Sequence, residues 1–233
     1  MIRADQLLRI PLAPVLLAQA IGVRRSARLL PEAAGPRQGT TGSGPDLRLL
    51  IAGDSSAAGV GVAAQAEALS GQLATCLSER FTVHWQVEAT TGHRTRDALQ
   101  RLADLETVRF DVVVTALGVN DVTRGTSARR FADQQNQLLD LLIERFKAKC
   151  VIVSGVPPMD LFPALPNPLS WVLGEQSRRL DAALADAVSR FPRAQHLQFQ
   201  LPDDPEMAAQ DGYHPSAEAY RLWAREIADR ISM

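Results

Sequence analysis

The sequence has little of what most simply betrays a function. It holds two cysteines, Cys76 and Cys150, in apolar helix-like and strand-like surroundings. Two isolated thiols make neither a disulfide framework nor a metal-ligand set, and both read as small buried side chains. Four histidines, His84, His93, His196 and His214, restrict the general bases to a short list. Aromatic residues make up 5% of the chain, fewer than a sugar-binding face of exposed rings would need. Charge nearly cancels, with 25 Lys and Arg against 26 Asp and Glu. No basic face is left over, which excludes nucleic acid as a partner.

Nor does any apolar run reach the roughly 18 uninterrupted residues of a spanning helix. Leu7–Val23 comes nearest, but Arg9, Pro11 and Pro14 interrupt it. The expectation is a helix packed on the rest of the chain or in peripheral contact with lipid, in a cytoplasmic protein. Because Arg3 precedes the run and Ala18-Gln19-Ala20 resembles a signal-peptidase site, a cleaved signal and an exported or periplasmic location are the alternative.

What is present is alternation. A breaker-rich stretch, Ala33–Pro45, sets residues 1–46 apart as an apolar segment plus linker, and 47–233 reads as one domain. Within it, β-branched or Leu-rich runs predict strands at Leu47–Ala52, Thr82–Ala89, Phe110–Leu117, Cys150–Val156 and Gln195–Phe199. Helical periodicity predicts helices near Gln65–Arg80, Thr95–Leu105, Ser127–Lys147, Trp171–Arg190 and Pro215–Ile231. Continuous apolar strands alternating with helices argue a parallel sheet covered on both faces. Ligands of such sheets bind beyond the carboxyl ends of the strands.

The polar residues cluster there. The first strand runs into Gly53-Asp54-Ser55-Ser56, a turn that can present a hydroxyl to a substrate. Serine is a poor nucleophile until a base takes its proton, and either Ser55 or Ser56 fits this description. The second strand is followed by Thr90-Thr91-Gly92-His93, where Gly92 permits close backbone approach. The third ends in Gly118-Val119-Asn120-Asp121; the Asn120 amide is suited to meet a developing oxyanion. Asp211-Gly212-Tyr213-His214 precedes the last helix, for which Pro215 fits the first position. An Asp three residues before a His can accept its ring N–H and fix the tautomer.

These four elements, in this order, resemble the blocks of the SGNH (GDSL-like) hydrolases, and the likeness spans about Leu47 to the C-terminus. The resemblance implies a flavodoxin-like three-layer α/β/α fold with a five-stranded parallel sheet. It implies Ser55 rather than Ser56 as nucleophile, His214 as base, Asp211 as its partner, and an oxyanion hole of the Ser55 N–H, the Gly92 N–H and the Asn120 side chain. It implies hydrolysis of an ester through an acyl-enzyme, without metal or organic cofactor. The family's usual Gly-Asp-Ser-Leu reads Gly-Asp-Ser-Ser here, which bears on substrate fit rather than catalysis.

The substrate expected is a small-molecule ester, simple acyl or lipid-like, with lysophospholipase or thioesterase activity within reach. The loop 157–171 is apolar and proline-stiffened, and either covers the core or walls an acyl pocket with Phe162 and Leu165 as substrate contacts. A carbohydrate O-acetyl esterase is the alternative within the class; a silent relative that binds an ester or glycan without cleaving it is the alternative outside it. A dinucleotide-binding reading of Gly59-Val60-Gly61-Val62-Ala63-Ala64, with Glu88 as ribose acid, fails on context. The glycines should follow the strand directly, yet Gly53–Ala58 intervenes.

Overall fold

The computed structural model describes residues 4–26, 28–198, 202 and 204–231. Six strands form one sheet in the order β1-β3-β2-β4-β5-β6: β1 (Gln38–Thr41), β2 (Asp46–Gly53), β3 (Thr82–Ala89), β4 (Val112–Ala116), β5 (Cys150–Ser154) and β6 (Ala194–Leu197). The five strands from β2 onward pair in parallel, as expected. β1 is an additional antiparallel edge strand against β3, and it lies within the stretch expected to be linker. Breaker residues hid it: Gly39 is where the Trp85 ring packs so closely that a Cβ would sit 2.9 Å from it. Of the last expected strand, Phe199 lies outside the described residues.

The period-2 alternation of each strand divides the core in two. Leu47, Leu49 and Ile51 of β2 face one layer, built by α2 (Leu69–Ser78) and α7 (Ala217–Arg230). Leu50 and Ala52 face the other, built by α3 (Thr95–Ala103), α5 (Ala128–Asp140) and α6 (Leu169–Val188). A short α4 (Val119–Thr123) leaves the end of β4, and α5 continues as a π-turn over Leu141–Arg145.

Two helix starts differ from expectation because a side chain is used otherwise, Gln65 in tertiary bonds and Ser216 as a local cap. α2 starts at Leu69, not Gln65. Gln65 is buried; its Nε2 donates to the Ala33 and Ala58 carbonyls and its Oε1 accepts from the Ser70 hydroxyl. α7 starts after Ser216, whose hydroxyl accepts the Ala219 N–H, while Pro215 pairs with Ala208 in an isolated bridge.

The apolar N-terminal run forms α1 (Ala4–Ser26), which passes through Pro11 and Pro14 rather than breaking at them. Leu7–Ser26 is thereby long and apolar enough to cross a membrane, contrary to the reading of the prolines as interruptions. The helix lies against α6. Its Asp5 is 1% exposed and bridges both terminal nitrogens of Arg179, at 2.9 and 2.7 Å, and Gln19 bonds the Asn167 carbonyl and the Leu169 N–H. None of the residues from Leu7 to Ser26 is buried.

Phe131 on α5 is wholly buried between sheet and helices. Phe131→Ala is expected to lower the unfolding free energy by about 3–5 kcal/mol in urea titration, the cost of lost transfer energy plus a cavity.

Candidate active site

The chain passes from β2 to its neighbour β3 on one side and then to β4 on the other, so the order of strands reverses at β2. Open sheets leave a crevice at such a switch point. Three loops meet there, from the carboxyl ends of β2, β3 and β4. They start close together because Gly53 lacks a side chain: a Cβ would stand 2.3 Å from the Ala116 carbonyl oxygen. The Asp54 N–H donates to that same oxygen at 3.1 Å.

The turn after β2 is shaped by the buried Asp54 carboxylate. Its Oδ1 accepts the Ser56 N–H at 3.1 Å and the Ser56 hydroxyl at 2.9 Å, so Ser56 is turned inward and occupied. Ser55 projects instead toward His214, with Oγ 2.8 Å from Nε2. The Tyr220 hydroxyl, from the first turns of α7, points into the same turn and shares its one proton between the Ser56 and Val60 carbonyls, at 2.9 and 2.8 Å. Ser55 and Ser56, equivalent by motif, are thus separated by structure.

His214 comes from the turn before α7. Its Nδ1 lies 2.6 Å from Asp211 Oδ2, and Asp211 Oδ1 accepts the N–H groups of Tyr213 and His214 at 3.0 Å each. A carboxylate only accepts, so Nδ1 carries the proton and Nε2 is left to take one from Ser55. Burial alone pushes the Asp211 carboxyl up. The His214 ring and the two backbone donors outweigh it and hold the carboxyl below its ordinary value. At Asp54 burial wins: the carboxyl is raised despite the two bonds from Ser56. Gly61, at φ +111°, brings the β2 loop against the His214 turn, where a Cβ would stand 2.3 Å from the Pro215 carbonyl oxygen.

Asn120, on α4, donates from Nδ2 to the His93 carbonyl at 3.0 Å and to Asp54 Oδ2 at 3.2 Å. Gly118 turns the chain from β4 into α4 at φ +128°. Gly92 sits exposed in its turn at φ +84°. Among the described residues neither its N–H nor that of Ser55 has an acceptor. Phe162 meets the Tyr213 ring edge-on, with centroids 6.1 Å apart. It packs with Leu165 against the core of the α5–α6 layer, so the 157–171 loop is at least partly core cover. Among the described residues no group of three or more His, Cys, Asp and Glu side chains is placed to hold a metal ion.

Two partners escaped the sequence reading. Asp54 passed as a letter of the motif, although an acid before two small hydroxyl residues signals a side chain that caps its own turn. Tyr220 lay within the last expected helix, where a buried phenol signals a hydrogen bond to the neighbouring loop. The glycines of the Gly59–Ala64 stretch are spent on packing against Ala33, Ala68 and Pro215, and Glu88 pairs with Arg101 at 2.7 Å. No pyrophosphate cradle remains.

The structure defines an α/β protein with Ser55, His214 and Asp211 in one hydrogen-bonded line at the carboxyl edge of its sheet. A model of the GDSL-like lipase/acylhydrolase family matches residues 51–222, and the chain belongs to that family. It is 30% identical over 193 residues to a GDSL-like esterase of Mycobacterium tuberculosis, an alignment covering 77% of this chain and 60% of that relative. The chain therefore spans under two thirds of that esterase's length. Among solved structures it resembles TesA (TM-score 0.63, 20% identity, 77% of this chain and 95% of that one). It also resembles Axe2, an acetylxylan esterase from Geobacillus stearothermophilus (TM-score 0.57, 16% identity, 82% and 96%). At these identities the structural likeness speaks for the fold.

Two outcomes are expected. Tyr220→Phe removes both bonds into the Ser55–Val60 turn and costs about 1–3 kcal/mol of stability in urea titration. The depressed Asp211 carboxyl contributes stability that is present above its unfolded value, about 3.9, and is lost as pH falls through its lower folded value. Asp211→Asn is expected to be less stable than the parent at pH 7, with the gap closing below about pH 4 in unfolding titrations run across that range.

Proposed function

We propose that the protein hydrolyses carboxylic esters in two acyl-transfer steps centred on Ser55. The observation that carries this reading is the unbroken line Ser55 Oγ–His214 Nε2–His214 Nδ1–Asp211 Oδ2, with contacts of 2.8 and 2.6 Å. As the Ser55 oxygen attacks the ester carbonyl, His214 takes its proton, and Asp211 stabilises the imidazolium that forms. The tetrahedral oxyanion is met by the free N–H groups of Ser55 and Gly92 and by Asn120. The longer of the two Asn120 bonds, to Asp54, is the one it gives up to the oxyanion. A donor of this kind is worth about 3–4 kcal/mol in the transition state. His214 then protonates the departing alcohol. Water, deprotonated by His214 in turn, attacks the acyl-enzyme carbonyl and restores Ser55.

A simple acyl or lipid-like ester is the substrate class we favour, because the apolar 157–171 loop leans on the Tyr213–His214 turn. A second reading, removal of short O-acyl groups from a carbohydrate, is favoured by how open the edge is, with Gly92 exposed. Hydrolysis of p-nitrophenyl acetate, butyrate and octanoate distinguishes these by chain length. Ser55→Ala is expected to lose about 10³–10⁶-fold in kcat, while Ser56→Ala, which only trims the turn, stays within about ten-fold. Absence of turnover with every ester would leave a silent binder.

The partner we assign to α1 is a lipid surface bearing anionic headgroups. Leu7, Ile10, Leu17 and Ile21 are exposed at helical spacing, and Arg24 and Arg25 close the helix. Sedimentation with phosphatidylglycerol-containing vesicles is expected to carry down the parent protein and to leave Ile10→Asp/Leu17→Asp in the supernatant. Equal recovery of both in the supernatant would favour the expected cytoplasmic location without membrane contact.

A further inference from the structure

A cavity of about 290 Å³ lies outside the Ser55–His214–Asp211 line, in the layer of α3 and α5. Four of its lining residues are arginines: Arg94 and Arg96 from the start of α3, Arg124 from the end of α4, and Arg130 from the first turn of α5. One carboxylate, Asp97, serves both Arg94 and Arg96. It engages each through Nε, at 3.2 and 3.1 Å, and among the described residues the terminal nitrogens of both guanidinium groups have no carboxylate partner. Among the described residues Arg124 and Arg130 have no carboxylate partner. The buried Asp121 also lines the cavity, its Oδ2 accepting the N–H and hydroxyl of Thr95 and its Oδ1 the Thr126 hydroxyl, so four guanidinium groups there stand against two carboxylates, Asp97 and Asp121.

Other groups point the same way. The first turn of α5 carries no acid, so its N–H groups and dipole add positive potential at the mouth. Gln134 Oε1 is buried without a partner; with the amide turned about, the NH₂ becomes a donor at that spot. A volume of this size suits a compact group rather than a whole acyl chain. Four guanidinium forks around such a space are suited to a planar or tetrahedral oxyanion, which they bind with paired hydrogen bonds.

The position links this cavity to the reaction. Asp121 directly follows Asn120, and Arg94 directly follows His93, whose carbonyl holds the Asn120 amide. All the lining segments leave the sheet at its carboxyl edge, the edge on which Ser55 stands. We propose that this cavity binds a phosphate or carboxylate group carried by the substrate, so that the enzyme favours esters that bear an anionic group. That the anion belongs to a substrate rests on the esterase reading; the anion site itself does not.

The test has two arms. In the first, inorganic phosphate is titrated calorimetrically into the 233-residue chain carrying Ser55→Ala and into the same chain with Arg124→Ala/Arg130→Ala added. Saturable binding that weakens about ten-fold or more in the second is expected. No binding, or binding unaffected by the arginines, overturns the site whatever the status of the nucleophile. In the second, the parent Ser55 enzyme hydrolyses 4-nitrophenyl butyrate and the anionic 4-butyryloxy-3-nitrobenzoate. Arg124→Ala/Arg130→Ala is expected to raise KM for the anionic ester about ten-fold, leaving the neutral ester within about two-fold, and Arg124→Lys/Arg130→Lys to recover part of the loss. Phosphate binding with unchanged discrimination between the esters would mean a free anion is the ligand and overturn the substrate assignment. Failure to turn over either ester contradicts the esterase reading alone.

Discussion

The carboxyl edge of this sheet depends on one buried carboxylate. Asp54 is 3% exposed, and a carboxylate in that position is tolerable only if its lone pairs are filled. One oxygen holds the Ser56 N–H and hydroxyl; the other holds the Asn120 amide, whose second proton holds the His93 carbonyl. Three loops that leave three different strands are thereby tied to a single group. Ser55 acquires its direction as a consequence: with Ser56 anchored inward, the neighbouring hydroxyl is left to face His214. The cost of burying Asp54 is thus spent on orientation, and its raised pKa records that the compensation is incomplete.

The other half of the site is held from a different direction. Asp211 fixes the His214 ring within its own four-residue turn, and α7 behind that turn is seated by Tyr220, Trp223, Ala224 and Ile227 in the core of the α2–α7 layer. Tyr220 joins the halves, since it belongs to the helix after His214 and bonds the turn that carries Ser55. Gly61 closes the same gap by backbone contact. Ser55 and His214 lie 159 residues apart in the chain, yet a rigid strand end and a docked helix leave little freedom between them. Preorganisation of this kind is what a proton transfer at hydrogen-bond distance requires.

Much of this was legible in the sequence because it rests on local patterning. Continuous Val, Leu and Ile runs marked β2, β4 and β5, weaker patterning marked β3 and β6, and the polar punctuation after the strands marked the edge of the candidate site. Ser55 and Asp211, named with His214 from their motifs, are each brought within hydrogen-bond distance of the His214 ring. What was not legible depends on distant partners. Gln65 has helix-compatible neighbours, but its amide is used to fasten residues 33 and 58. β1 reads as linker until Trp85 covers Gly39. Pro11 and Pro14 look like breaks, yet α1 continues through them while Asp5 and Gln19 hold it to α6 and the loop before it. The Arg94–Arg130 cavity is assembled from three segments whose charges look scattered in a near-neutral chain.

The central claim, that Ser55 is the nucleophile activated by His214, is tested most directly by covalent trapping. The intact protein would be treated with an alkyl fluorophosphonate, which an activated serine displaces to form a stable phosphonyl ester, and the adduct located by peptide mass spectrometry. A single adduct on Ser55, formed far more slowly in His214→Ala, is the result predicted. An adduct on Ser56 or another residue, or labelling of Ser55 that is indifferent to His214, would contradict it.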